Sequence, residues 1–392
     1  MKFLYHFRTQ GVGAEAVHIS GVAGALRRMG HEVVFSSPTG VDPVQSVKQT
    51  PSPAPARRSL PGRLAAHLPN ALFELLELAY NVPAFFRNAA LLHQHAIDAI
   101  YERHAFFLFS TALLANRQQL PFIVEVNELV GDERVRAQPL LAPLVRKLDR
   151  FVFHSATAIV VVSPHLKRRI TALGINPEKI LVLPNGVDRE DYEPLPDGYE
   201  VRKKLGLQRT LTIGFIGGLV PWHKLETLLE VFGDLEKSHP DLRLVLLGQG
   251  PLLGELQKLA SDLGLADKVL FPGSVGHGEI PAHLAAFDIA VVPHSNAYRS
   301  PIKLFEYLAA GRPVVAPGTE PIRSVIKSGT HALLFETNDP HGLQTALTAL
   351  INDPELRESV GKSGRRHVLT YHTWDNNAHK AVEAIIPRNV RC

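Results

Sequence analysis

Short apolar runs of strand length alternate with helical patterns along almost the whole chain, in two successive series. That alternation constrains the fold strongly. A helix between each pair of strands returns the chain to the same end of the sheet, so the strands run parallel with helices on the faces. The first series reads as a strand from Lys2 to Phe7, a helix from about Ala14 to Met29 and a strand from Glu32 to Ser36. Short strands follow near Ala99 to Tyr101, Phe122 to Val126 and Ala158 to Val162. The second starts at Leu211 to Ile216 and continues through Arg243 to Leu247, Lys268 to Phe271, Ile289 to Pro293, Pro313 to Ala316 and Ala332 to Phe335. Between them, Leu183-Pro184-Asn185-Gly186-Val187-Asp188 and the polar, Pro-rich residues to Gly198 have the character of a linker. The expected fold is α/β, with two Rossmann-like domains, residues 1–190 and 191–370, facing across a cleft.

Ligands of such sheets bind outside the carboxyl ends of the strands. That rule gathers Gly217-Gly218, Gly248-Gln249-Gly250, Pro272-Gly273-Ser274, His294-Ser295 and Ser300 to Lys303 around one site. The last of these opens the stretch SPIKLFEYLAAGRPVVAP, Ser300 to Pro317. Ser300 suits an N-cap and Pro301 the first helical position, leaving the N–H groups of Ile302 and Lys303 free beside an ammonium. Helix dipole, free donors and lysine together suit a phosphate. Gly311 ends the helix, and Pro313-Val314-Val315-Ala316 reads as a buried parallel strand. An ordinary capped helix leading into a core strand fits the same pattern.

At 392 residues the chain exceeds one typical domain, and its 45% hydrophobic content supports full cores. Its one cysteine, Cys392, excludes an internal disulfide or a thiolate metal cluster and points to a reducing, cytoplasmic setting. No apolar run reaches the roughly 18 residues of a membrane span. Residues 1–190 carry 21 Lys and Arg against 15 Asp and Glu, net +6, while the remainder carries 21 against 23, net −2. The basic half is expected to face something acidic. Within it Arg57, Arg58 and Arg63 precede an apolar stretch from Leu68 to Phe86. This pair fits a segment at an anionic membrane surface, and equally a solvated basic loop before a core helix. No basic run interleaves with stacking aromatics, so nucleic acid is not expected as a partner.

Two other motifs carry little. Gly11-Val12-Gly13-Ala14-Glu15-Ala16 follows the first strand like a dinucleotide fingerprint, but the second strand ends Phe35-Ser36-Ser37-Pro38 without an acid for a ribose. No Asp-x-Asp pair exists to hold a divalent ion against a diphosphate, so no metal and no cofactor are expected, and phosphate charge falls to backbone dipoles and basic side chains.

The order and spacing of several motifs resemble family 4 of the retaining glycosyltransferases, which have the two-Rossmann GT-B architecture. They are Val162-Ser163-Pro164-His165-Leu166-Lys167, Leu183 to Asp188, Gly217 to His223, Gly248-Gln249-Gly250-Pro251, Phe271 to Val275 and Lys303 to Ala309. The resemblance spans nearly the whole chain. It implies metal-independent transfer of a sugar, with retention, from a nucleotide diphosphate sugar such as a UDP-sugar or GDP-sugar to an acceptor hydroxyl. Glu306 matches the glutamate that binds the ribose hydroxyls, backbone from Gly273 to Val275 would hold the base, and Ser300 to Lys303 would cap the diphosphate. The resemblance also implies that residues 371–392 form a helix packing on the first domain. The chain departs from the pattern at three places. Tyr298 stands where the family has a second glutamate on the donor sugar, and Gly218 and His223 stand where it has the arginine and lysine that neutralise the diphosphate. Lys224 and Lys303 are the neighbouring substitutes.

In the first domain, Gly11 and Gly13 resemble the glycine loop bordering donor and acceptor. Asn127 stands near the family's histidine beside the reacting sugar. Strand alternation puts Glu125 on the same face as Asn127, where the two can present hydrogen-bonding groups together. A buried ion pair of Glu125 with Arg103 is the alternative. The catalytic candidates are therefore Asn127, Glu125, His223 and Lys224. The basic, partly apolar first half suits a carbohydrate or lipid-linked acceptor and a place on the cytoplasmic membrane face. A nucleotide-sugar-binding protein without activity, or an epimerase of the same fold, remain the other readings.

Overall fold

The computed structural model describes residues 1–9, 14–49, 69–133, 138–195 and 197–386. Gly11, Gly13, Arg57, Arg58 and Arg63 lie outside the described residues. The chain divides into two compact units, one of residues 1–49, 54–184 and 374–392, the other of residues 50–53 and 185–373.

The first unit holds a six-stranded parallel sheet of order β2-β1-β3-β4-β5-β6. Its strands are β1 (Lys2–His6), β2 (Glu32–Ser36), β3 (Ala99–Arg103), β4 (Phe122–Val126), β5 (Ala158–Val161) and β6 (Ile180–Val182). The alternation predicted five of them. β6 was not expected, although Ile180-Leu181-Val182 pairs with Ile159, Val160 and Val161 of β5 in register. Every residue of β4 is buried, as befits a strand covered on both faces. After β2 the chain forms a short helix, Pro43–Gln49. Asp42 begins it, accepting the Val44 N–H at 2.9 Å and pairing with Arg27 at 3.0 Å.

The apolar stretch after Leu68 forms two helices, Asn70–Ala79 and Asn81–Gln94. Asn81 joins them to the core. Its amide donates to the carbonyls of Leu78 and Phe107, and its oxygen accepts the N–H groups of Phe109 and Ser110. One face of these helices is buried at Glu74, Ala84 and Asn88, whereas Leu72, Leu75, Leu76, Val82 and Phe86 face outward. The helix Trp374–Ile385 belongs to this unit and packs on the helix Ala14–Arg28. A Cβ on Gly21 would lie 2.4 Å from the Trp374 ring, so only glycine admits the indole there.

The second unit repeats the plan with β7 (Leu211–Ile216), β8 (Leu242–Leu247), β9 (Val269–Gly273), β10 (Ile289–Val291), β11 (Val314–Pro317) and β12 (Leu333–Phe335). Their order is β12-β11-β10-β7-β8-β9, all parallel, which is the doubly-wound order with its reversal between β7 and β10. Apolar clusters cover both faces of this sheet.

Candidate active site

In the second unit the reversal of strand order puts the end of β7 beside the end of β10, the place where an open α/β sheet leaves a crevice. Gly217 follows β7, Gly248 follows β8, and both have φ of +151°. A Cβ on Gly248 would sit 1.9 Å from the Gly217 carbonyl oxygen, so the two loops touch backbone to backbone. Their ladder continues beyond the strands, with Gly217 N–H donating to Leu247 O and Leu219 N–H to Gln249 O, both at 3.0 Å. Tyr307 locks the helix Ile302–Ala309 to this edge, since its hydroxyl accepts from Ile216 N–H at 2.7 Å and donates to Ile216 O at 3.2 Å.

That helix brings Lys303 and Glu306 onto one face, three residues apart. Lys303 Nζ lies 4.0 Å from the Phe215 ring centre and 3.2 Å from His223 Nε2. The other nitrogen of His223, Nδ1, is 2.6 Å from the Gly218 carbonyl oxygen and must therefore carry the proton. Nε2 is then the acceptor and Lys303 the donor. Burial, with Lys303 next, holds the His223 pKa down to about 3, so the imidazole is neutral. Burial also pushes the Lys303 ammonium down to about 7, against the pull of Glu306. Glu306 is itself buried, which raises its pKa, while His277 and Lys303 draw it back. Acid and base thus share a half-dry site where each has a softened charge.

Ser300 and Pro301 depart from expectation. Ser300 is not the N-cap and Pro301 is not the first helical residue, because the helix starts at Ile302 with Pro301 before it. The Ser300 hydroxyl is occupied by the linker, accepting Asn185 N–H at 3.0 Å while its carbonyl accepts Asn185 Nδ2 at 2.5 Å. The first N–H groups of the helix are left open all the same. Lys224 sits in left-handed backbone at φ +50° and donates to Asn338 Oδ1 at 2.6 Å, a tether that holds its ammonium. Gly273, at φ +85°, ends β9, and Val275 packs on the apolar core behind it. Tyr298 is buried and accepts from Arg299 Nε at 3.1 Å. The Arg299 guanidinium lies 5.4 Å from the Tyr298 ring centre and 6.0 Å from that of Trp222. Arg299, Tyr307 and Asn185 had escaped the sequence reading. Only the adjacency of Arg299 to Ser300 and Tyr298 could have pointed to it.

In the first unit, Glu125 collects three hydrogen-bond donors and the close approach of the His18 ring. Arg103 and Asn127 reach Oε1 at 2.6 and 2.7 Å, Tyr101 reaches Oε2 at 2.9 Å, and His18 Nε2 lies 2.8 Å from Oε1. Burial alone would raise its pKa, but His18, Arg103 and Asn127 outweigh it and hold the carboxyl well below the usual range. Glu125 and Asn127 do share a face, and the ion pair with Arg103 forms as well. A carboxylate so fully engaged is a poor proton acceptor and a good anchor for its neighbours. Trp374 closes the cluster from above, edge-on to His18 at 4.9 Å.

Two family models match the chain, Glycosyltransferase Family 4 over residues 15–191 and Glycosyl transferases group 1 over residues 199–367. A GDP-mannose-dependent alpha-(1-6)-phosphatidylinositol monomannoside mannosyltransferase of Mycobacterium tuberculosis is 27% identical over 304 residues, 76% of this chain and 78% of that protein. A D-inositol 3-phosphate glycosyltransferase of Geodermatophilus obscurus is 27% identical over 266 residues, 65% of this chain and 54% of that protein. Anabaena HepE in complex with UDP superposes with a TM-score of 0.70 at 16% identity, covering 98% of this chain and 99% of HepE. Sucrose-phosphate synthase from Thermosynechococcus elongatus gives 0.73 at 17% identity, covering 97% of each chain. The two models leave only short stretches unmatched, the fold agrees, and the chain belongs to family 4 of the glycosyltransferases, with the GT-B architecture.

Proposed function

We propose that this glycosyltransferase moves a sugar from a nucleotide diphosphate sugar, UDP- or GDP-linked, to a hydroxyl of a lipid-linked or glycan acceptor, with retention and without a bound metal. The observation that carries the reading is the helix Ile302–Ala309, whose open N-terminus, Lys303 and Glu306 meet at the β7/β10 reversal. Cleavage of the donor leaves negative charge on the diphosphate. The N–H groups of Ile302 and Lys303 and the Lys303 ammonium are fixed where they meet that charge as it grows. In this reading Glu306 accepts from ribose hydroxyls, and the backbone from Gly273 to Val275 holds the base. The acceptor hydroxyl attacks on the face from which the diphosphate leaves, and a phosphate oxygen of the donor takes its proton. In the first unit the Asn127 amide donates to Glu125 Oε1 at 2.7 Å, which turns its carbonyl oxygen into the group that can accept from a sugar hydroxyl.

Metal independence is supported by the lack of an Asp-x-Asp pair and, among the described residues, of any convergent group of three His, Cys, Asp or Glu. The relatives' names bring in the acceptor class, since one acts on phosphatidylinositol monomannoside and the other on D-inositol 3-phosphate. No helix among the described residues is long and apolar enough to cross a membrane. Outward-facing Leu72, Leu75, Leu76, Val82 and Phe86 favour a lipid surface. A thermal-shift panel of UDP, GDP, ADP and TDP identifies the base through stabilisation. The proton coupling at the anomeric carbon of the product, formed with EDTA present, then tests stereochemistry and metal dependence. An inverted product, or loss of turnover in EDTA, refutes the reading.

A further inference from the structure

The site has an electrostatic deficit at position 218, where the family resemblance implies an arginine and this chain has glycine. Gly218 has no side chain to offer. His223 is neutral, with Nδ1 spent on Gly218 O and Nε2 on Lys303. Lys224 is tethered to Asn338. Lys303 alone would face two phosphates, as an ammonium that burial makes easy to discharge.

A second cation stands one helical turn before Lys303 in sequence. Arg299 lies on the segment joining β10 to the Ile302–Ala309 helix, half-buried between Tyr298 and Trp222. Trp222 is in turn held by His294, whose Nδ1 donates to the Trp222 carbonyl oxygen at 2.8 Å. Among the described residues no carboxylate comes within ion-pair distance of Arg299, and its one side-chain hydrogen bond goes to a neutral phenol. Arg299 and Lys303 both lie near enough to the His223 imidazole to act on it electrostatically. A planar guanidinium stacked on aromatic rings loses little freedom when it grips a phosphate with two parallel N–H bonds.

We propose that Arg299 is the guanidinium that, together with Lys303, neutralises the donor diphosphate in this enzyme, so that the charge comes from the segment after β10 and not from position 218. The assignment rests on the reading of this site as the donor site. It makes a steric point that can be turned into a test. Gly218 is not in left-handed backbone, and a Cβ there meets nothing nearer than Val220 Cγ1 at 3.6 Å. The position is open, and an arginine can be put back.

The experiment is calorimetric titration of the whole protein with the stabilising nucleoside diphosphate and with the same nucleoside lacking phosphate. Arg299→Gln, which keeps the stacking area without the charge, is expected to lower diphosphate affinity about 10- to 100-fold and to leave nucleoside affinity unchanged. Arg299→Lys recovers part of the loss, and adding Gly218→Arg to Arg299→Gln recovers most of it. An equal loss for nucleoside and diphosphate would make Arg299 a structural prop and overturn the assignment. So would an Arg299→Gln protein that binds diphosphate normally while Lys224→Ala does not. A wild-type protein that binds no nucleoside diphosphate overturns the donor-site reading, and this assignment with it.

Discussion

The Lys303 ammonium donates to Nε2 of His223 at 3.2 Å, and this contact fixes the proton on the far nitrogen of the ring, against the Gly218 carbonyl. A lysine and a histidine that would repel as two cations are reconciled because burial keeps the histidine neutral. The charge of this pair is therefore carried by Lys303, and it depends on pH near neutrality.

The first prediction follows from the sign of that dependence. With a pKa of about 7, Lys303 is largely neutral at pH 8 in the free enzyme. A diphosphate beside it favours the charged form and raises the value. Binding at pH 8 is therefore expected to take up a fraction of a proton, binding at pH 6 almost none, and affinity to fall as pH rises through 7. Titrations in buffers of different ionisation enthalpy read the uptake directly. Lys303→Arg should abolish it and Lys303→Ala should weaken diphosphate binding at every pH. Uptake that persists in Lys303→Arg would assign the proton to another group.

His223 gives the second. A pKa of about 3 keeps it neutral from mildly acidic pH upward. Side-chain 15N shifts of the ligand-free protein should show a protonated Nδ1 and a bare Nε2 from pH 5 to pH 8, with no titration between. A midpoint near 6.5 would remove the lysine contact from the working enzyme.

Glu125 supplies the third. Its folded pKa lies below its unfolded one, so it stabilises the first unit above about pH 4.5, and that contribution is lost as the pH falls toward the folded value. Glu125→Gln leaves Arg103 buried without a counter-charge and is expected to cost about 3 kcal/mol or more. The variant should also lose part of the steepness of acid unfolding below pH 4.5. Melting curves at pH 7 and pH 4 measure both. A stable Glu125→Gln protein with no turnover would instead give the carboxylate a direct part in the chemistry.

Much of this arrangement was legible beforehand because it depends on local rules. Parallel strands such as Val314–Pro317 announce themselves by apolar character, and the glycines at 217 and 248 by the close approach they permit. Lys303 and Glu306 share a helical face by spacing alone. What could not be read is where side chains find partners far away in sequence. Ser300 looked like a cap because nothing local competes for its hydroxyl, and Asn185, 115 residues earlier, takes it. Nothing local marks Arg299, and its stacking surface comes from Trp222, 77 positions earlier on another loop. β6 was overlooked for a simpler reason. Ile180-Leu181-Val182 is only three residues long and runs straight into the linker motif, so its strand character was absorbed into the reading of what followed.

The fourth prediction concerns the outward face of the helices Asn70–Ala79 and Asn81–Gln94. Phe86 is 67% exposed and Val82 61%, values that a core-facing helix would not leave uncovered. Glu74, buried beneath this face, accepts the N–H groups of Leu140 and Leu141 at 2.6 and 2.9 Å and so holds two more exposed leucines against the first helix. The helix Ala142–Ser155 that follows exposes Arg146, Lys147 and Arg150. Apolar side chains beside cations are the pattern of a surface that enters the headgroup layer of an anionic bilayer, where each lysine or arginine adds about 1 kcal/mol. Flotation with vesicles of phosphatidylcholine and phosphatidylglycerol should bring the protein up, and vesicles of phosphatidylcholine alone should do so far less. Leu76→Glu with Phe86→Glu is expected to abolish flotation while leaving turnover on a soluble acceptor intact, because neither residue touches the donor site. If the double variant still floats, the apolar face is not what meets the lipid.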